Sequence, residues 1–530
     1  MILNGMSDFN PCLAFHPQGE PTTAPSDFPA PHRIDTFGGP VKACWEPAPA
    51  VTRHGLLAYF IDFLKVSNTW QEFVESCPLT YSSNNSPAKA EILATIVYSI
   101  LIGQHRYAHM NALSGDAVMA SLFGVKKLRS QDSVRRAFER IDDDVLTQWI
   151  DQQMDRTFAP LLELDWVLDL DATIKVLYGD QEAAQLGYNP TKPGRPSHVY
   201  QAMVLAAGKL VLNVDTQAGN QSASEYAQPT LFGWLDARDR KQWPTFIRGD
   251  NAHASERMMV EAEKRQLPYL FKLRQTPNVS RTIGRLAKQG DKAKWQKTEQ
   301  GWESLETTLR LKGWTRERRV IVSRRKLAEP KVEAGLTTNK QPCLPGMSIE
   351  KSGGDWYEYS VLVTSWEEMD LGRLTQEYRN RADAENMFDE LKNQWGWSGY
   401  TTQDLKRSQL MARLVGLVYN WWGIYTRMGT GGQHREAITT RPALADGVAE
   451  RTEHAREVKL EMTSLHSKAK KIATFLSGIS EYLHKFLAVA TQLDEKERWR
   501  ALLRRIFWFF YPQPPPSGSS VSSASPLPAG

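Results

Sequence analysis

Cysteine is scarce. The chain of 530 residues has four, Cys12, Cys44, Cys77 and Cys343. They lie far apart, with no Cys-x-x-Cys pair and no histidines at zinc-finger spacing, which excludes a disulfide framework and a structural zinc module. Long apolar runs are also missing. The most apolar stretch, "LVGLVYNWWGIY" at 414–425, is shorter than the roughly 20 residues that span a bilayer. The N-terminus lacks the basic start and apolar core of a signal peptide. These absences lead us to expect a cytosolic protein. No repeat of solenoid length is present. Acidic residues are sparse in one region: from Lys264 to Lys326 there are 18 Lys or Arg against 5 Asp or Glu. A merely solvated face mixes both signs, so this segment points to a polyanion, and nucleic acid first.

What is present fits a globular chain. Hydrophobic content is 41% and charged content 24%, and the length implies two to four domains. Residues 1–53 are proline-rich and aperiodic and are expected to be disordered, as is the tail at 512–530. From 54 to 160 the pattern is helical. Within it "SGDAVMASLFGVKKLRSQDSVRRAFERI" (114–141) reads as two short helices around a turn, with Ser130 as N-cap and Arg135, Arg136 and Arg140 on the second. A helix-turn-helix of this kind can enter a DNA major groove, although the same spacing occurs in any helical bundle.

After 160 the period changes from 3.6 to 2. In "WVLDLDATIKV" (166–176), Asp169 and Asp171 share one face and Trp166, Leu168 and Leu170 the other. Strand-like runs at 198–206 and 209–216, a helical stretch at 222–242, then "PTFIRGD" (244–250) and "PYLFKLR" (268–274) imply a mixed α/β sheet. Strands at "SLETTLRLKGW", "ERRVIVSRR" and "WYEYSVLVTSW" make 278–366 a β-rich basic insertion. A helix over 367–403 and a helical region over 404–511 complete the chain.

Carboxylates on a sheet face are costly unless paired or bound to metal. Asp169 and Asp171 on one strand, Asp250 at the end of another and Glu385 on a later helix are hard oxygen ligands suited to Mg²⁺ or Mn²⁺. Two such ions can serve in-line phosphoryl transfer. Each residue alone has a bland alternative as a turn former, cap or solvated side chain. "YRNRADAENMFDELK" (378–392) reads as the middle of one helix, with Tyr378, Arg381, Glu385 and Lys392 on a shared arc of roughly 60°.

Tyr378, Arg381, Glu385 and Lys392 form Y-(2)-R-(3)-E-(6)-K, which resembles the signature of the insertion-sequence-four type DDE transposases. "LDLDATIKVLYGDQEAAQLGYNPTKPGRPSH" (168–198) resembles the first catalytic block of the insertion-sequence "thirteen-eighty" family, and "IRGDNAH" (247–253) its second. The likeness runs from about 54 to 425. It implies an RNase H-like mixed sheet interrupted by the β-rich insertion, with helical N- and C-terminal regions. It also implies Asp171, Asp250 and Glu385 as the metal triad holding two Mg²⁺ or Mn²⁺ ions, with Asp169 as alternative to Asp171. Tyr378, Arg381 and Lys392 would then handle a DNA end, and Trp302, Trp314 and Trp356 are candidates to receive a flipped base. The implied partners are double-stranded DNA, as terminal inverted repeats and target, and a second copy of the chain. Two departures stand out. Ala183 replaces the usual glycine of the turn, and "DNAH" replaces Asp-Ser-Gly. They leave open a DNA-binding regulator that does not cut, or a nuclease that does not join.

Overall fold

The computed structural model describes residues 32–43, 50–83, 85–189, 192–221, 223–327, 347–352, 354–454, 457–463 and 465–508. The chain divides into two compact units, 1–50 and 51–530. In the first, His32–Thr36 pairs with Gly39–Ala43 as an antiparallel hairpin, so part of the stretch expected to be disordered holds regular structure. The rest of that stretch up to 31, and the tail at 512–530, lie outside the described residues.

The second unit is built on a mixed sheet of 11 strands. Its central strands are β1 (Val167–Val176), β2 (Pro196–Leu205), β3 (Leu210–Ala218), β4 (Phe246–Gly249) and β5 (Tyr269–Lys272). They lie in the order β3-β2-β1-β4-β5, with β4 parallel to both β1 and β5 and β2 antiparallel to β1 and β3. The insertion contributes β6 (Trp302–Leu309), β7 (Arg318–Lys326) and β8 (Asp355–Thr364). These extend the same sheet, because the last residues of β8 pair with β5, Leu362 opposite Lys272. The insertion also opens on a helix, Pro277–Gln289.

Helices cover the sheet and flank it. In the N-terminal part, α1 (Lys89–Leu101) is buried from Glu91 onward. It precedes α2 (Ala117–Leu122) and α3 (Gln131–Glu139), the two short helices read from the sequence. Ser130 caps α3 as expected, its hydroxyl accepting from the Ser133 amide at 3.4 Å. After β8 come α4 (Leu371–Arg379), α5 (Ala382–Asn393) and α6 (Leu405–Arg427). The most apolar sequence of the chain thus becomes α6, buried along most of its length against β3. Polar groups fix its register. The Asn420 side chain accepts from the Val211 amide at 2.8 Å and donates to the Val211 carbonyl at 2.7 Å, so an exposed sheet edge is both covered and satisfied. Among the described residues, no helix is long and apolar enough to cross a membrane. The C-terminal region, expected to be helical, also contains a hairpin of Val448–His454 with Glu457–Thr463.

Candidate active site

Parallel pairing brings the first two carboxylates together. Asp169 stands opposite Arg248 and Leu170 opposite Gly249, so Asp171 and Asp250 follow at the ends of the paired segment, where α/β sheets gather functional groups. Alternation puts Asp169, Asp171, Arg248 and Asp250 on one face. Their environments differ sharply. Asp169 is 1% exposed and forms a two-point ion pair with Arg248, whose Nη2 donates to Oδ2 at 2.9 Å. Its charge is thereby fully committed to the fold. Asp171 instead borders a cleft of about 510 Å³, shared with Asp250, Glu385, Tyr378, Arg381, Lys272 and Trp302.

Three distant segments therefore meet at one cleft. Burial, and then the neighbouring Asp250, push the Asp171 carboxyl up to about 6, with Arg381 opposing them. For Asp250 burial acts upward, but the hydrogen bond and charge of His253, with Arg381 and the Ala252 amide, together outweigh it and hold the carboxyl at about 2. His253 is buried and its Nδ1 lies 2.9 Å from Asp250 Oδ1. The Ala252 amide donates to the same oxygen at 2.9 Å. Gly249 leaves room for this ring, since a Cβ there would crowd the His253 side chain at 3.0 Å. The "DNAH" departure thus supplies a buried imidazole that orients Asp250.

Arg381 stands between the other two carboxylates. Its Nη2 is 3.2 Å from Asp171 Oδ1, and its Nη1 donates to Glu385 Oε1 at 3.0 Å. The side chain is only 5% exposed, while Glu385 is 66% exposed at the cleft mouth. Among the described residues, no three His, Cys, Asp or Glu side chains stand close enough to hold one ion; here the guanidinium spans the gap. The donor set nonetheless suits a divalent cation: hard oxygens, one of them a buried carboxyl destabilised by a second.

The expected single helix over 378–392 is instead α4 and α5 joined at Asn380–Arg381. Tyr378 lies in the last turn of α4 and lines the cleft, its phenol pushed up by burial. Lys392 sits in the last turn of α5, half-buried and outside the cleft lining. Among the tryptophans, Trp302 lines the cleft with the Arg325 guanidinium 5.1 Å from its ring centre. Trp314 is buried under Arg318, and Trp356 is 36% exposed beside Lys351, outside the cleft lining. Arg135 and Arg136 are exposed on α3, Arg135 lying over the Tyr107 ring. Sequence reasoning missed His253 and Lys272. The Lys272 ammonium is lowered by burial, against the raising effect of Glu385. A lysine closing the strand next to the Asp250 strand was the available signal.

The family model described as "Transposase DDE domain group 1" matches residues 82–482. The chain belongs to that family. Membership of that family makes this protein a DDE-group transposase. No curated protein matches the chain. Among solved structures it is similar to a piggyBac transposase synaptic complex with hairpin DNA, at 12% identity and a TM-score of 0.37, over 89% of this chain and 88% of that chain. This DDE transposase-family member has its three candidate acids, Asp171, Asp250 and Glu385, at one cleft.

Proposed function

We propose that this protein is a DNA transposase of the insertion-sequence-four type, nearest the "thirteen-eighty" family, which cuts the terminal inverted repeats of an element and joins them to target DNA. One observation carries the reading: Asp171, Asp250 and Glu385, distant in sequence, line a single cleft together with Arg381 and Tyr378. The strand order β3-β2-β1-β4-β5, with β1, β4 and β5 parallel, supports an RNase H-like core.

Asp171, Asp250 and Glu385 would hold two divalent ions, Mg²⁺ or Mn²⁺, as DDE transposases generally use. Bound there, such ions would activate water or a 3′-hydroxyl and stabilise the leaving oxygen. The protein's own groups do the rest. His253 keeps Asp250 ionised and oriented. Arg381 carries a buried positive charge, held above its ordinary value by Asp171 and Tyr378 against the opposing effect of burial, so it can receive a phosphate beside the acids. Tyr378 and Lys272 border the same space. Trp302, partly exposed in the cleft beside Arg325, is the best placed of the three tryptophans to stack on an extruded base. Trp314 is a core residue in this reading. Lys392, Arg135, Arg136 and Trp356 would contact DNA farther from the cut. Two ends cut in concert need two active sites, so a homodimer on DNA follows.

The test is Glu385→Gln on a labelled duplex spanning the DNA that flanks the gene. Cleavage in Mg²⁺ should disappear while binding stays within a few-fold. Unchanged cleavage refutes the assignment, and a wild-type protein that binds but never cuts would be a regulator. Arg381→Ala should weaken both binding and its salt dependence through the lost phosphate contact.

A further inference from the structure

The break between α4 and α5 has an identifiable cause. In an uninterrupted helix the Arg381 amide would donate to the Glu377 carbonyl, four residues back. Here that carbonyl receives the Arg248 Nη1, and the Arg381 amide donates to Tyr378 at 3.1 Å. A side chain inserted into the helix ladder is one of the few recognised causes of a kink. Arg248 is 3% exposed and rigidly held. Its other two nitrogens grip Asp169, its direct partner across the parallel strands. Nη1 also lies 3.6 Å from the Glu377 carboxylate.

We infer that Arg248 is a positioning residue for the transposase reaction, a strut that ties the strand pair carrying Asp171 and Asp250 to the helix break carrying Tyr378 and Arg381, and so sets where Glu385 stands. The inference rests on the function proposed above. The connection is short. Arg248 is two residues before Asp250, Asp169 is two before Asp171, and Glu377 is one before Tyr378. One guanidinium therefore fixes three segments, each within two residues of a cleft group, without itself lining the cleft. Lysine cannot replace it, because a single ammonium lacks the planar fork that meets a carboxylate at two points and a carbonyl at a third.

A displacement of about 1 Å among reacting groups costs on the order of 100-fold in rate. Arg248→Lys should therefore lower kcat for cleavage of the labelled flanking duplex by about that factor, while the Kd for the same duplex stays within 3-fold, roughly its measurement scatter. Where the single variant folds poorly, Asp169→Asn with Arg248→Gln removes the buried charges together and should reproduce the kcat loss. A second readout needs no DNA. Hydrogen exchange across 371–393 should show the Arg381 amide more protected in the double variant, as the uninterrupted helix bond to Glu377 forms. Loss of kcat at near-constant Kd, with that change in protection, supports the strut. If wild type cuts and both variants cut at wild-type rate, the strut is wrong and the active-site assignment survives. Should wild type not cut in Mg²⁺ or Mn²⁺, the functional reading falls and takes the strut with it.

Discussion

Two aspartates two residues apart, Asp169 and Asp171, should answer the same substitution in opposite directions. Burial and Asp250 raise the Asp171 carboxyl from 3.8 to about 6. The unfolded chain releases this proton near pH 4 and the folded chain keeps it to about pH 6, so stability falls as pH rises through that window. Above it the full penalty applies. Roughly two pH units at about 1.36 kcal/mol each make it on the order of 3 kcal/mol. Asparagine resembles the protonated form, so Asp171→Asn should stabilise the free protein by up to about 3 kcal/mol at pH 7.5, should give almost nothing at pH 4, and should abolish cleavage. Asp169→Asn strips the buried Arg248 of its two-point partner, leaving only the Glu377 carboxylate at 3.6 Å, and should cost about 3–5 kcal/mol. Urea unfolding at the two pH values, followed by far-UV circular dichroism, measures both. A less stable Asp171→Asn at pH 7.5, or an Asp169→Asn as stable as wild type, would refute the division of labour between a functional and a structural carboxylate.

Three further outcomes are expected. Ala183 has a φ of +58° in the turn after β1, a conformation costing a residue with a Cβ about 1–2 kcal/mol, so Ala183→Gly should raise the free energy of unfolding by about 1 kcal/mol without altering cleavage. Burial lowers the Lys175 ammonium to about 7; its charge therefore destabilises the fold fully below pH 7 and less as pH rises toward 10.5. Lys175→Met should gain stability at pH 6 and lose that advantage by pH 10, in paired unfolding curves, with the gain reduced by the lost bonds to Tyr200 and the Gly399 carbonyl. Trp302→Ala should slow steps after the first nick with little change in melting, whereas Trp314→Ala should cost about 3–5 kcal/mol as a core truncation; the reverse ranking would exchange their roles.

The sequence pattern went furthest where one side of an element is apolar. Strict alternation in β1 placed Asp169 and Asp171 on the same face, and the other main strands of the sheet were readable as strand-like runs, though β2 and β3 are buried almost throughout and carry no such alternation. The same alternation could not rank the two aspartates, because what separates them is Arg248, 79 residues away in the chain. The helix break at Asn380 was hidden for the same reason: residues 378–392 carry a clean helical period, and the interruption comes from a side chain on another strand. The hairpin at 448–463 went unread because Val448–His454 is charged on both faces; its partner Glu457–Thr463 does alternate, with Val458, Leu460 and Met462 on one face, a short signal inside a region read as helical. Nor could the tryptophans be ordered by composition: Trp302 meets Arg325 across a strand pair, whereas Trp314 lies under the nearby Arg318 and is buried by the packing of the sheet around it. For the two aspartates and the helix break the missing information is a polar contact between distant segments. Such contacts impose no periodicity on either partner, yet here they decide which acid serves the fold, where the helix turns, and which residues reach the cleft.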